Sequence, residues 1–177
     1  MTRHRKLNWA LALLLGLAIA STAGAEDLQS LYDAAGPGEG YDKLIVLDPS
    51  EVYTGYMIVQ DAVKCALHGN GALIELDSFG ALMVFYSATL DIDGCVITGG
   101  TEGLYYAYSG ASTVRNCTII GNETGVRCEV AQVTIENCII TGNTERGISC
   151  FEGYYPTILY NNAWDNGQGN YMYLCSG

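Results

Sequence analysis

The chain has 177 residues, with 19 acidic side chains against eight basic ones and a formal net charge of −11. That length makes one domain, and so acidic a surface repels nucleic acid and anionic membrane. It also opposes a long groove for strongly anionic polysaccharide, unless a divalent metal mediates.

Residues 1–25 read as a secretory signal peptide. Arg3, Arg5 and Lys6 form a basic start, residues 9–20 (WALALLLGLAIA) an apolar run, and Ala23-Gly24-Ala25 a small-residue cleavage site before Glu26. The run is too short to span a bilayer comfortably. The expected product is extracellular and free of the membrane once cleaved. It keeps five cations against 19 carboxylates, a balance of −14.

Residues 26–36 (EDLQSLYDAAG) predict a short helix. Leu28, Leu31, Tyr32 and Ala35 share one face, and Gly36-Pro37-Gly38 ends it. KLIVL at 43–47 and YMIV at 56–59 predict buried strands, with Pro49 and Gly55 as punctuation. Residues 26–61 are therefore expected to form a cap and first coil, because a solenoid end must be covered.

From residue 62 to 177 a short repeat takes over. Gly103, Gly125, Gly147 and Gly169 stand 22 residues apart, and between them recur IDGCVITGG, VRNCTIIGN, IENCIITGN and LYNNAWDNG. Period-2 alternation points Val126 and Cys128 inward and Arg127 and Glu129 outward. Each turn holds three short strands with bends between them and has no room for a helix. A turn of about 22 residues that climbs one strand spacing is an all-β, single-stranded parallel β-helix. The chain ends partway through a turn, so it is expected to be a fragment of a longer protein.

Repeat positions assign further roles. Cys95, Cys117 and Cys138, with Cys65 by local phrase, are expected in one interior column, and Cys128 with Cys150 in another, all acting as small hydrophobes. Asn116, Asn137 and Asn161 are expected at one corner, where asparagine tolerates left-handed backbone. Its outward neighbours would be Asp93, Arg115, Glu136 and Tyr160. Arg115 is then structural, held between Asp93 and Glu136.

VRNCTIIGN followed by GVRC at 114–128, and IENCIITGN followed by GISC at 135–150, resemble the right-handed parallel β-helix, or pectin-lyase-like, repeat proteins. The opening DLQSLYDAAGPGEGYDKLIVLDPSEVYTGYMIV is similar to that family's N-terminal cap and first turn. The resemblance covers nearly all of the chain after residue 25. It implies right-handed coiling, three sheets, and a shallow groove along the glycine-led sheet, where enzymes of this fold bind polysaccharide. Outward positions there give a candidate carbohydrate-binding set of Tyr105, Arg127, Phe151, Tyr171 and Tyr173, with Phe85, Glu129 and Ser149 beside them. Aromatic faces next to polar groups suit sugar rings, although exposed aromatics on a sheet also simply stack on one another.

Catalytic patterns are weak. Asp91 and Asp93 share one strand face and could form a carboxylate pair, but a solvated face is the simpler reading. His68 lies in the turn HGNG without a nucleophile motif. Glu102, Glu123 and Glu145 each precede a repeat glycine near Asn122 and Asn143, a column that could hold calcium through oxygen ligands. No other cofactor is expected, and the chain is expected to be a monomer or part of a longer one. Three functions stay open: a polysaccharide-binding module, a polysaccharide lyase, hydrolase or epimerase with an incomplete site, and a structural or adhesion protein.

Overall fold

The structure is a computed structural model and describes residues 25–151, 154–172 and 175. The expected signal peptide, apart from Ala25, lies outside these residues, as does Tyr173.

Three parallel sheets wind into a solenoid. The glycine sheet stacks Met57–Val59, Leu82–Phe85, Glu102–Ala107, Thr124–Glu129, Arg146–Cys150 and Gly169–Tyr171. The middle sheet stacks Lys43–Val46, Lys64–His68, Thr89–Asp93, Ser112–Arg115, Val133–Glu136 and Thr157–Leu159. The closing sheet has seven strands, from Glu26–Asp27 to Asn162–Trp164. Among the described residues each strand pairs with its equivalent in the next turn and not with its sequence neighbour, which is the all-β solenoid read from the repeat.

Three inward columns make the core. Leu82, Leu104, Val126 and Ile148 line the glycine sheet, Leu67, Ile92, Val114 and Ile135 the middle sheet, and Ile74, Ile97, Ile119 and Ile140 the closing sheet. All of them are buried. Full burial of such a side chain stabilises by about 1.5–3 kcal/mol, and like shapes stack across a strand spacing without voids.

The helix runs Leu28–Ala34, shorter than 26–36 because Asp27 caps it, accepting from Ser30 N at 2.7 Å. Leu28 and Tyr32 face the first coil and are buried. At the other end Lys43 Nζ donates to the Tyr32, Asp33 and Ala35 carbonyls, the first at 2.6 Å. These are the acceptors a helix end leaves orphaned.

Cys95, Cys117 and Cys138 are buried and unpaired, on successive turns of one column. Two cysteine expectations need correction. Cys65 belongs to the middle sheet, opposite Leu90, and not to that column. Cys150 stacks on Cys128 but is bonded to Cys175 as a disulfide. Spacing alone could not reveal that bond, because Cys175 lies outside the regular repeat.

The last turn departs from the 22-residue period. Cys128 stands opposite Cys150, yet Thr134 stands opposite Thr157 and Arg146 opposite Gly169. One extra residue therefore enters between Cys150 and Thr157 and shifts everything after it. The left-handed corner falls on Asn116, Asn137 and Tyr160, with φ of 53°, 55° and 57°. Asn161 sits one place further on, where its Oδ1 accepts from Cys138 N at 2.8 Å. The outward neighbour above Glu136 is Leu159, not Tyr160.

Candidate functional site on the glycine sheet

The repeat glycines bring successive turns into close contact. A Cβ on Gly125 would lie 2.6 Å from the Gly147 carbonyl oxygen and 3.0 Å from Ile140 Cγ2. No other residue fits there without moving backbone. The strands that start at these glycines then alternate outward side chains in two columns. One holds Met83, Tyr105, Arg127 and Ser149, and the other holds Phe85, Ala107 and Glu129.

Arg127 is the centre of the face. Its Nε donates to Glu129 Oε1 at 2.7 Å, and Nη1 lies 3.5 Å from Glu102 Oε1. The guanidinium carbon is 5.4 Å from the Tyr105 ring centre and 5.8 Å from that of Phe151, a cation–π contact on each ring. Tyr105 Oη donates to Glu129 Oε2 at 2.9 Å, so one carboxylate fixes both side chains. Phe85 meets Tyr105 edge to face at 5.5 Å, and Tyr86 follows at 6.1 Å from Phe85. Tyr86, Phe85, Tyr105, Arg127 and Phe151 thus form one continuous stripe. Phe151 and Tyr86 are the most open of its rings.

Burial opposes the charge on Arg127, but the hydrogen bond and field of Glu129 outweigh it and hold the guanidinium above its usual pKa. Burial, followed by the bond to Glu129, pushes Tyr105 up to about 12. Burial also raises Glu102, against the pull of Arg127 and with the help of Glu123 and Glu129. The cluster carries two carboxylates and one guanidinium, so it does not attract anions.

Residues 54–177 match the family profile described as the right handed beta helix region. The chain belongs to the right-handed β-helix family. Searches of curated proteins and of solved structures returned no significant match. Membership accounts for the coil and the three sheets and leaves the chemistry to the side chains above, since one fold hosts many activities.

Of the candidate carbohydrate-binding residues, Tyr105, Arg127 and Phe151 come together, with Phe85 and Glu129. Tyr171 does not join them. The extra residue in the last turn puts it opposite Ile148, on the inward column, where it packs against the core. A slip of one residue sends a strand's side chain to the other face. Met172 takes the place over Ser149, whose Oγ donates to Met172 Sδ at 3.5 Å. Tyr86 and Tyr108 were missed. Both occupy left-handed corner positions, φ 53° and 52°, and both are exposed. Alternation does not reach a corner, so only the repeat spacing of two tyrosines, 22 apart, could have flagged them.

The expected calcium column is not assembled in one register. Glu123 and Glu145 stack, with Glu145 N donating to Glu123 O at 2.8 Å, but Glu102 lies on the strand opposite Thr124. Asn122 and Asn143 turn inward and are buried. Asn122 Nδ2 donates to Asn143 Oδ1 at 3.1 Å, and Asn143 Nδ2 to Asn166 Oδ1 at 2.8 Å. This internal ladder engages the Asn122 and Asn143 amide oxygens, which accept from Gly100 N and from Asn122. Among the described residues no group of three or more His, Cys, Asp or Glu side chains could hold a metal.

Proposed function

We propose that this chain is an exported β-helix module that binds neutral polysaccharide along the glycine sheet. The observation that carries the reading is the aromatic stripe around Arg127. Its rings lie on a rigid sheet, with fixed hydrogen-bonding groups beside them, the pairing that sugar rings use through their C–H faces and hydroxyl edges. Successive turns are about 4.8 Å apart, close to the length of one sugar unit, so a glycan can follow the stripe. Glu102 and Glu129 outnumber Arg127, which favours neutral glycans over uronates. A shallow face that desolvates few polar groups gives weak binding. Export is supported by the basic start, apolar run and Ala-Gly-Ala site of residues 1–25.

A catalytic reading has one support, the raised Glu102 carboxyl beside Glu129. It predicts new reducing or unsaturated ends from a polysaccharide incubated with the protein, and none with Glu102→Gln.

A glycan array tests the main reading, with wild type against a Phe85→Ala, Phe151→Ala double variant. Loss of neutral-glycan binding in the variant is the expected result. Equal binding by both places the contact elsewhere. Binding by neither leaves the stripe as a purely structural stack.

A further inference from the structure

The outer face of the middle sheet holds a recess on different residues from the stripe. A cavity of about 360 Å³ opens over Asp91, Thr113, Thr134 and Thr157, with Gln132 and Tyr155 at its margin. A smaller one of about 50 Å³ shares Asp91 and Thr113 and continues past Tyr41, His68 and Arg115. Together they cross five consecutive strands, from Lys64–His68 to Thr157–Leu159. Four strand spacings make a furrow about 19 Å long.

The floor is built for hydroxyl groups. Thr113, Thr134 and Thr157 stack in register above Asp91, one strand spacing apart. Among the described residues no hydrogen bond engages the hydroxyls of Thr113 or Thr134. Asp91 is held rigidly: Oδ2 accepts from Tyr41 Oη at 2.6 Å and Oδ1 from Thr113 N at 2.7 Å. Each oxygen keeps a further lone pair for a ligand. Tyr155, about half exposed, offers a ring at one end, and Tyr41 closes the other.

Charge narrows the ligand. Among the residues lining the two recesses, Asp91 and Asp93 stand against one permanent cation, Arg115, which Asp93 already takes at 3.0 Å, and His68 lies 3.8 Å from Glu39. Uronates and sulfated sugars meet net negative potential here. Solvent-facing hydroxyls in a row, one fixed acceptor and an aromatic wall suit an uncharged polyhydroxyl chain.

We propose that this furrow is a second glycan site, taking a neutral oligosaccharide of about four units. One sugar hydroxyl donates to Asp91, others exchange hydrogen bonds with the threonine row, and one ring face covers Tyr155. The site stands or falls separately from the stripe, because the two share no residue.

The test is an NMR titration of the chain with cellotetraose, xylotetraose, mannotetraose and chitotetraose, and with tetragalacturonate as the anionic control. At least one neutral tetrasaccharide is expected to shift the amides of Thr113, Thr134 and Tyr155, while tetragalacturonate leaves them in place. A Thr113→Val, Thr134→Val variant keeps side-chain shape and suits a strand, and it should weaken that binding about tenfold. Tyr155→Ala, at an exposed position, provides a second variant with the same expectation. If no neutral tetrasaccharide moves these amides at millimolar concentration, or if both variants bind like wild type, the site is disproved. Shifts confined to Tyr105, Arg127 and Phe151 would leave the stripe standing and remove the furrow. Shifts confined to the furrow would do the reverse.

Discussion

Arg115 lies directly above Asp93 on the next turn, its Nε 3.0 Å from Oδ2, while Glu136 occupies the same position one turn further on. The register read from the repeat holds at this site, but the ion pair forms on one side only. Among the described residues no ion pair joins Arg115 to Glu136. Asp93 also accepts from Asn116 Nδ2 at 2.8 Å, so it ties the guanidinium to the asparagine corner.

That geometry sets a small effect. Both side chains are substantially exposed, at 48% and 35%. Arg115→Ala should lower stability by about 0.5 kcal/mol, as for solvent-facing pairs. Urea unfolding should show a slightly lower midpoint with an unchanged slope, and the difference should shrink in high salt. A salt-independent loss several times larger would mean that Arg115 contributes mainly through packing.

The sequence made the coil and its inward and outward columns legible because each core position repeats the same kind of side chain. Leu104, Val126 and Ile148 alternate with Tyr105, Arg127 and Ser149 over three turns, and only a parallel solenoid satisfies that pattern. Legibility failed where the period changed. Gly169 keeps the 22-residue spacing by coincidence and pairs with Arg146, which turned Tyr171 from a candidate ligand into a core residue. The amide ladder was missed for a similar reason. Asn122, Asn143 and Asn166 stand 21 and 23 residues apart, and asparagine in a turn reads as a polar surface residue until burial is known. The furrow was invisible because it needs Tyr41 and Tyr155, from the cap and the irregular loop, brought onto a regular sheet.

The amide ladder should be the most sensitive polar feature. Asn143 Oδ1 accepts from both the backbone N and Nδ2 of Asn122. Its Nδ2 donates to Ile119 O and Asn166 Oδ1. Asn143→Ala leaves the buried Asn122 backbone N–H without its acceptor, while Asn122 Nδ2 keeps the Ile97 and Ile120 carbonyls, and such an orphan costs about 1–3 kcal/mol. We expect a loss of about 3 kcal/mol, against about 1–2 kcal/mol for Ala at the exposed corner residue Asn137, where the cost comes from its left-handed φ of 55° and where, among the described residues, the side chain makes one 3.4 Å contact, to Asn116. Equal losses at the two positions would show that the ladder is not the stronger element.

Gly125 should tolerate no side chain. The added Cβ meets the Gly147 carbonyl at 2.6 Å and Asn143 Nδ2 at 3.1 Å, and both are fixed by the next turn. Gly125→Ala should destabilise by about 1–3 kcal/mol or more, the usual range for forced overpacking. Gly142 offers a control: its Cβ would meet only Ile120 Cγ1 at 3.6 Å, so Ala there is opposed by its φ of 63° and not by a collision. Thermal melts should place Gly125→Ala well below Gly142→Ala. The reverse order would show that backbone strain at the closing turn outweighs close packing of the coils.

The buried thiols give the chain an alkaline limit. Burial pushes Cys128 and Cys65 from an ordinary 9.0 up to about 12, and both are fully buried and unpaired. Below pH 9 these thiols are protonated in the folded and the unfolded chain, so their contribution is fully present and constant. Between about 9 and 12 the unfolded chain has lost protons that the folded chain keeps, so stability falls as pH rises. Each thiol alone should remove up to about 1.4 kcal/mol per pH unit in that window. Tyr105, pushed up to about 12 from 10.0, adds to the fall above pH 10. Urea midpoints should therefore stay level from neutral pH to 9 and then drop, more gently in Cys128→Ala than in wild type. Iodoacetamide should label none of the five free thiols in the native protein and all five in denaturant, with Cys150 and Cys175 released only by a reductant. Stability that stays flat from pH 9 to 11, or native-state labelling of Cys128, would contradict thiols sealed inside the coil.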